Sequence, residues 1–414
     1  MFILIFLPAC TSSSSSPALQ SQIDDNLRRS RPVQALYAIE RLAHEQGWTP
    51  ALAAQAGDIY RDLGDLSSAV AVWERIPNPN AVVLRDLARA QLVLGRWDNA
   101  LATLHLVIAQ TPDDAWAHWH SALLQAPVDP QAALATLPIA ATDPAYTPIV
   151  AALQETLTGV QNDTLLPMRV GIVLADHGQW RYAERAFARA AALNAPYAEA
   201  LAYLGVARVM QGKDGAQVML QAVALEPVNA RIRYLQGIYL RAIGDARGAI
   251  DSLGQAAALA PDTPLYFVEL AQAYRDLRDL QQAEYWLRVA VAVSGNAPRF
   301  LEILALFYAD EAENLTVDGV AALEQAISLL PADPDIYAGY GWAIYLTGDR
   351  ERGLSLIDQA LSSDADNPRA LYYRGRILLD SGDTDAALPL LEQVASGTSE
   401  FAPIARALLE SLRG

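Results

Sequence analysis

Residues 243–261 read IGDARGAIDSLGQAAALAP, and the spacing of small residues in this stretch recurs along the chain. Gly244 is followed by Ala249, Leu253, Ala256 and Pro261. The stretch at 94–112, LGRWDNALATLHLVIAQTP, sets Gly95, Ala100, Leu104, Val107 and Pro112 at the same offsets. HGQWRYAERAFARAAALNAP at 177–196 gives Gly178, Ala183, Phe187 and Ala190, with Pro196 one place late. One isolated helix has no use for such a schedule. A phrase that returns at a fixed period describes a small unit that cannot bury its own apolar face and must stack on copies of itself.

The unit at 230–263 shows how the phrase works. Its first helix carries Gly237, where a side chain would collide with the second helix. Gly244 and Asp245 form the turn. The second helix places Ala249, Leu253 and Ala256 on one face, and Pro261 stops it. The next unit, 264–297, keeps Leu270, Ala271, Tyr274, Ala283, Leu287 and Ala290. Unit 198–229 has Leu204, Gly205, Ala222 and Pro227, with a shortened turn at 212–215. Gly341, Gly348 and Ala360 mark 334–367, with a delayed Pro368; Gly375, Gly382, Ala387 and Leu391 mark 368–399. Upstream, Tyr60, Gly64, Ala69 and Trp73 repeat the pattern. No segment alternates with period two in β-branched residues, so strands are not expected.

A helix–turn–helix period of about 34 residues with these Leu-Gly, Tyr, Ala, aromatic and Pro marks resembles the tetratricopeptide repeat. About ten such units cover most of residues 30–400. The resemblance implies an all-α, right-handed superhelical solenoid that binds other polypeptides on its inner, first-helix face. The expected organisation is an N-terminal array at 23–125, a degenerate Pro-rich region at 126–163, a C-terminal array at 164–399 and a capping helix at 400–414. The five prolines between Pro127 and Pro148 are expected to bend or divide the array, and DEAENLTV at 310–317 to project as an acidic loop.

The N-terminus, MFILIFLPACTSSSSSPALQSQ, is a short apolar run followed by serines. Leu-Pro-Ala-Cys at 7–10 resembles the lipobox of bacterial lipoproteins, in which the cysteine is acylated and becomes the new N-terminus. It departs from that pattern in lacking a Lys or Arg before the run, and in Pro8. The resemblance implies a signal segment at 1–9, lipidation of Cys10, a Ser-rich tether at 10–22 and a place on a membrane of the bacterial cell envelope. The alternative is a soluble cytoplasmic adaptor.

Chemistry is sparse. The net charge of −17 disfavours a general nucleic-acid binder, which needs a basic surface. Cys10 is the one cysteine, so no Cys-based zinc site is available. His118 and His120 lie two apart, on different sides of a helix, and cannot share an ion. No phosphate loop, nucleophile elbow or His-Glu-x-x-His helix occurs. Carboxylates gather in turns such as TPDD and GDTD, where they suit helix N-termini. The expectation is a scaffold, not an enzyme, without metal or cofactor, whose partners are proteins or peptides. A second alternative is an accessory subunit of a polysaccharide-export or glycosyltransferase system.

The first-helix stripe opposite the packed face is the candidate binding surface. Through 230–380 it selects Arg231, Tyr234, Arg241, Gln272, Arg275, Arg299, Glu302, Trp342, Tyr345, Arg369, Tyr372 and Arg376. Six arginines then face two acids, Glu302 and Asp335, a surface suited to carboxylate-bearing ligands. The Lys/Asn carboxylate clamp of chaperone-binding family members is not matched. In the middle units the same stripe is apolar: Trp116, Trp119, Leu165, Met168, Ile172, Val206 and Val209. The anchoring expectation is tested directly: Cys10→Ser should move the protein from the membrane to the soluble fraction, and an intact Met1 on the native protein would contradict it.

Overall fold

A computed structural model describes residues 16–159 and 163–413. Cys10 and the leader at 1–9 lie outside the described residues. Contacts divide the chain into two compact units, Met1–Ala195 and Pro196–Gly414. Among the described residues the secondary structure is helical, with no strand.

In the first unit the helices are α1 (Ser16–Arg28), α2 (Pro32–Gln46), α3 (Pro50–Asp62), α4 (Leu66–Trp73), α5 (Ala81–Val93), α6 (Trp97–Gln110), α7 (Ala115–Gln125), α8 (Pro130–Ala140), α9 (Thr147–Leu157), α10 (Leu166–Asp176) and α11 (Trp180–Leu193). The second unit contains α12 (Ala198–Val209), α13 (Ala216–Leu225), α14 (Ala230–Ala242), α15 (Ala246–Leu259), α16 (Pro264–Asp276), α17 (Leu280–Val293), α18 (Pro298–Glu311), α19 (Val320–Leu329), α20 (Pro334–Leu346), α21 (Arg350–Ser363), α22 (Pro368–Asp380), α23 (Thr384–Ser396) and α24 (Phe401–Arg413). They pack as antiparallel hairpins, α1 with α2, α3 with α4 and so on, while α9 and α24 have no hairpin partner of their own. First helices of successive hairpins adjoin: α12 packs on α14, α14 on α16, α18 on α20 and α20 on α22.

The hairpin is built on a fixed contact. Gly57, Gly171, Gly237 and Gly375 each face the large residue sixteen places on: Trp73, Phe187, Leu253 and Leu391. A Cβ at any of the four would come within 3.0 Å of that side chain. Hydrogen at the first-helix position is what lets the partner side chain lie flat in the groove. Gly205 meets Met219 only fourteen places on, because α13 starts late, at Ala216, and the chain between the facing positions is two residues shorter. At Gly341 the obstacle is backbone, since an added Cβ would lie 2.7 Å from the Gly353 carbonyl oxygen. Ala69, Ala183, Ala249 and Ala387, one turn before the large residue, are fully buried, as the repeat register requires.

Turns follow from local chemistry. Gly244 sits at φ 83°, the left-handed region that costs glycine nothing. The amide of Asp245 then donates to the Leu240 carbonyl at 2.9 Å and closes α14. The Asp245 side chain opens α15 by accepting from the Gly248 amide at 2.9 Å. Asp114 and Asp383, from the acidic turns TPDD and GDTD, cap α7 and α23 in the same way.

Two expectations are corrected. The segment expected as a tether through residue 22 is helical from Ser16, because Leu19 and Ile23 find a core against α2 and are fully buried. Nor does 310–317 project as an acidic loop. Asp310 and Glu311 end α18, Leu315 is buried, and Leu315–Gly319 form a π-helical turn into α19. The Pro-rich stretch is mostly helical, with Pro138 inside α8 and Pro148 in the first turn of α9. Phe401, Ala405 and Leu409 of α24 close the last hydrophobic cluster.

Hairpin packing makes a discriminating prediction. Gly237→Ala should destabilise by about 1–3 kcal/mol through overpacking, and Leu253→Ala in the same chain should relieve it, giving a coupling of opposite sign to the single costs. Gly341→Ala should cost as much and resist rescue by Ile357→Ala, because its obstacle is the Gly353 carbonyl. Urea denaturation of the single and double variants reads both.

Candidate functional site

The first-helix stripe of the second unit holds more carboxylates than the sequence reading counted. Arg231 pairs with Glu199 at 2.8 Å. Arg241 is half-buried between Glu269 and Asp276, both at 2.8 Å. Arg275 holds Glu311 at 2.5 Å. These partners lie 32, 35 and 36 residues from their arginines for Glu199, Asp276 and Glu311, about one repeat away on the adjoining first helix. The stripe of six arginines facing two acids is therefore corrected: most of its cations are already matched by the neighbouring repeat.

Arg369 is the clearest case. It was expected to line an open surface, yet it is only 5% exposed. Its guanidinium donates to Asp310 and, at 2.9 Å, to Glu400, and pairs electrostatically with Asp335 at 3.5 Å. Burial works against its charge, but the Asp310 and Glu400 carboxylates outweigh that and raise its pKa. Asp310 and Glu311 end a helix, where the macrodipole disfavours negative charge. Arg275, Arg278 and Arg369 converge there and offset it.

Arg278 occupies an unusual backbone. It stands where the neighbouring hairpin has Gly244, and adopts φ 60° with a Cβ to accommodate, a conformation that costs about 1–3 kcal/mol. In return its guanidinium reaches Glu311 at 2.6 Å. Ala312, with φ 55°, lines the same cleft.

That cleft, about 310 Å³, has walls from α16, α18, α20, α22 and α24. Trp342 is its aromatic base, stacked on Tyr373 with centroids 5.1 Å apart and on Tyr345 at 5.8 Å. Tyr372 lies 5.3 Å from Phe401. Trp342, Tyr345 and Tyr372 are each under 9% exposed, so they present edges and faces to the cleft more than open surface. Arg376 stands over both Trp342, at 5.5 Å, and Tyr372, at 5.9 Å, and donates to the Tyr372 hydroxyl at 3.2 Å. Among the described residues it has no carboxylate partner. The remaining stripe residues stay outside the cleft: Tyr234 packs on Tyr266, Gln272 is half-buried and Arg299 is exposed.

The apolar middle stripe is largely consumed by the fold. Trp119 is buried and stacks on Tyr146 at 4.7 Å; Met168 and Val206 are buried, Trp116, Ile172 and Val209 half-buried, and Leu165 exposed. In the first unit α11 reaches the ends of earlier first helices. Arg185 donates to the Leu124 carbonyl at 2.5 Å, so it caps α7 and does not stand idle on an outer face. His120 meets the Tyr182 hydroxyl at 2.5 Å. Burial first, then the charges of Arg89, Arg181 and Arg85, depress the His120 pKa to about 3. Among the described residues, no cluster of His, Cys, Asp and Glu could hold a metal, and no helix is long and apolar enough to cross a membrane.

The family model described as tetratricopeptide repeat matches residues 234–299 and 347–403. No curated protein matches the sequence. Among solved structures, yeast Tom70 is similar at 16% identity and TM-score 0.44, covering 96% of this chain and 95% of that one. The Cut9 and Hcn1 hetero-tetramer of APC/C gives 12% identity and TM-score 0.43, covering 92% and 87%. YrrB, a repeat protein with an unusual peptide-binding site, gives 15% identity and TM-score 0.32, covering 46% and 97%. Residues 234–299 and 347–403 are thus similar to tetratricopeptide repeats.

A neutral His120 has a consequence for stability. Its folded pKa lies below the ordinary value of 6.5, so its contribution is complete above pH 6.5 and is lost as pH falls toward 3. Between pH 7 and pH 5 the native protein should lose about 1–2 kcal/mol that a His120→Gln variant does not lose. Urea midpoints at the two pH values check this.

Proposed function

We propose that the protein is a non-enzymatic scaffold whose second unit binds an extended, acidic peptide segment in the cleft between α16 and α24, with Arg376 as the anchor. One observation carries the reading. Arg376 is half-exposed, lies over two aromatic rings and has no carboxylate among the described residues, while Arg231, Arg241, Arg275 and Arg369 are each occupied by one. A ligand carboxylate would complete its charge, and an adjacent apolar side chain would meet Phe401 and Ile404 at the cleft edge. Repeats matching the tetratricopeptide model on both sides of the cleft support a polypeptide as ligand.

Anchoring on a bacterial envelope membrane through lipidated Cys10 is part of the proposal. It rests on residues 7–10 and the serines after them. It would concentrate such partners at a membrane surface.

An array of labelled ten-residue peptides that varies carboxylate and aromatic positions tests the cleft. Wild-type protein should select peptides in which a carboxylate neighbours an aromatic or aliphatic residue, and binding should weaken with salt. Arg376→Ala should lose about tenfold or more in affinity for the selected peptides, the loss of one charged hydrogen bond. Arg299→Ala, exposed and outside the cleft, should bind as wild type. Equal affinity of Arg376→Ala and wild type would move the ligand site elsewhere.

A further inference from the structure

The first unit carries an unassigned concentration of positive charge. Arg85 and Arg89 of α5 both stand over the Trp116 ring of α7, at 4.9 and 5.3 Å. One turn on, His120 packs edge-on to Trp116 at 4.5 Å and meets the hydroxyl of Tyr182 from α11. Arg181 precedes Tyr182, and its single recorded bond is a long one, 3.4 Å to the Leu92 carbonyl.

The local charges do not balance. Asp114 takes Arg85 at 3.1 Å. Asp86 takes Arg89 at 3.1 Å but is shared with Arg61 at 2.8 Å. Arg181 has no carboxylate among the described residues. All three arginines act on the His120 ring to disfavour its protonation, and no carboxylate opposes them there. Asp113, Asp114 and Asp143 line the pocket on the Arg85 side of Trp116, so the guanidinium left without a carboxylate is that of Arg181. Arg85 and Arg89 are 41% and 54% exposed, so the charge is reachable from solvent.

We propose that the junction of α5, α7 and α11 is an anion site, separate from the cleft of the second unit, that takes a carboxylate or phosphate group between Arg89, Arg181 and His120. We take the Tyr182 hydroxyl as the donor to Nδ1 of His120, which puts the ring proton on Nε2. Nε2 has no partner among the described residues. A neutral imidazole then offers an N–H without a competing counter-charge, and two guanidiniums supply the charge. Contact with the Trp116 ring at 5.3 Å and the ion pair with Asp86 restrain the Arg89 guanidinium, so less side-chain entropy remains to be lost on binding.

The test follows the histidine ring signals of the full-length 15N-labelled protein, with His120 assigned through His120→Gln. Sodium phosphate and sodium acetate are titrated separately at ionic strength held constant with sodium chloride. The His120 resonance should move saturably with phosphate, acetate or both, while His44, His105, His118 and His177 stay in place. Saturation by phosphate alone assigns a phosphate group, and by acetate alone a carboxylate. Arg89→Ala and Arg181→Ala should each raise the half-saturating concentration about tenfold or more. Arg181→Lys keeps the charge and should keep the saturable shift. No saturable shift in the wild-type protein, the same shift in chloride alone, or a shift unaltered in both alanine variants would overturn the site. The wild-type titration decides by itself if a variant fails to fold.

Discussion

The hairpins of this structure depend on a close approach of their two helices, made at Gly57, Gly171, Gly237 and Gly375 by a first-helix glycine against the large side chain sixteen residues later. Where that contact forms, the two helices of a hairpin lie near enough for Ala69, Ala183, Ala249 and Ala387 to be buried without a cavity. The hairpin then presents two apolar faces that only neighbouring hairpins can cover. Gly205 shows how tightly the geometry is coupled to chain length. The chain between its facing positions is two residues shorter, its partner moves to Met219, and the backbones of Gly205 and Gly215 come into contact. A small residue is not an incidental preference at these positions, because interiors packed at crystal density leave no slack for an added methyl.

Stacking creates a second constraint, an electrostatic one. Adjoining first helices place several arginines opposite a carboxylate of a neighbouring repeat, as in Arg241 with Asp276 and Arg275 with Glu311. Exposed pairs of this kind contribute little to stability. The buried Arg369 is different, since removing it would strand Asp310 and Glu400. Ion pairing between repeats also decides what remains for a ligand. It neutralises most of the stripe and leaves Arg299 and Arg376 as its guanidiniums without a carboxylate partner among the described residues.

The hairpins were legible because their signal is local and repeated. Gly237, Ala249 and Pro261 each act within one unit, so spacing alone places them. Function was less legible because it lies in contacts between units of the repeat. Counting a stripe on isolated helices finds Arg275 but not Glu311, which belongs to the next first helix and was read as part of a loop. Adding the carboxylates one repeat ahead would have shown which arginines are occupied. The α11 contacts had no such signal: Arg185 meets Leu124 sixty-one residues away, past the Pro-rich α8 and α9 where the repeat pattern blurs. Leu19 and Ile23 were missed because a serine-rich run masks the helical spacing that follows it.

The central claim is the glycine-to-partner register, and a nuclear Overhauser measurement tests it most directly. In protein labelled at glycine Cα and leucine methyls, the account predicts cross-peaks from Gly237 Hα to the Leu253 methyls and from Gly375 Hα to the Leu391 methyls. Their absence from a fully helical sample, or cross-peaks to leucines at other offsets, would contradict it.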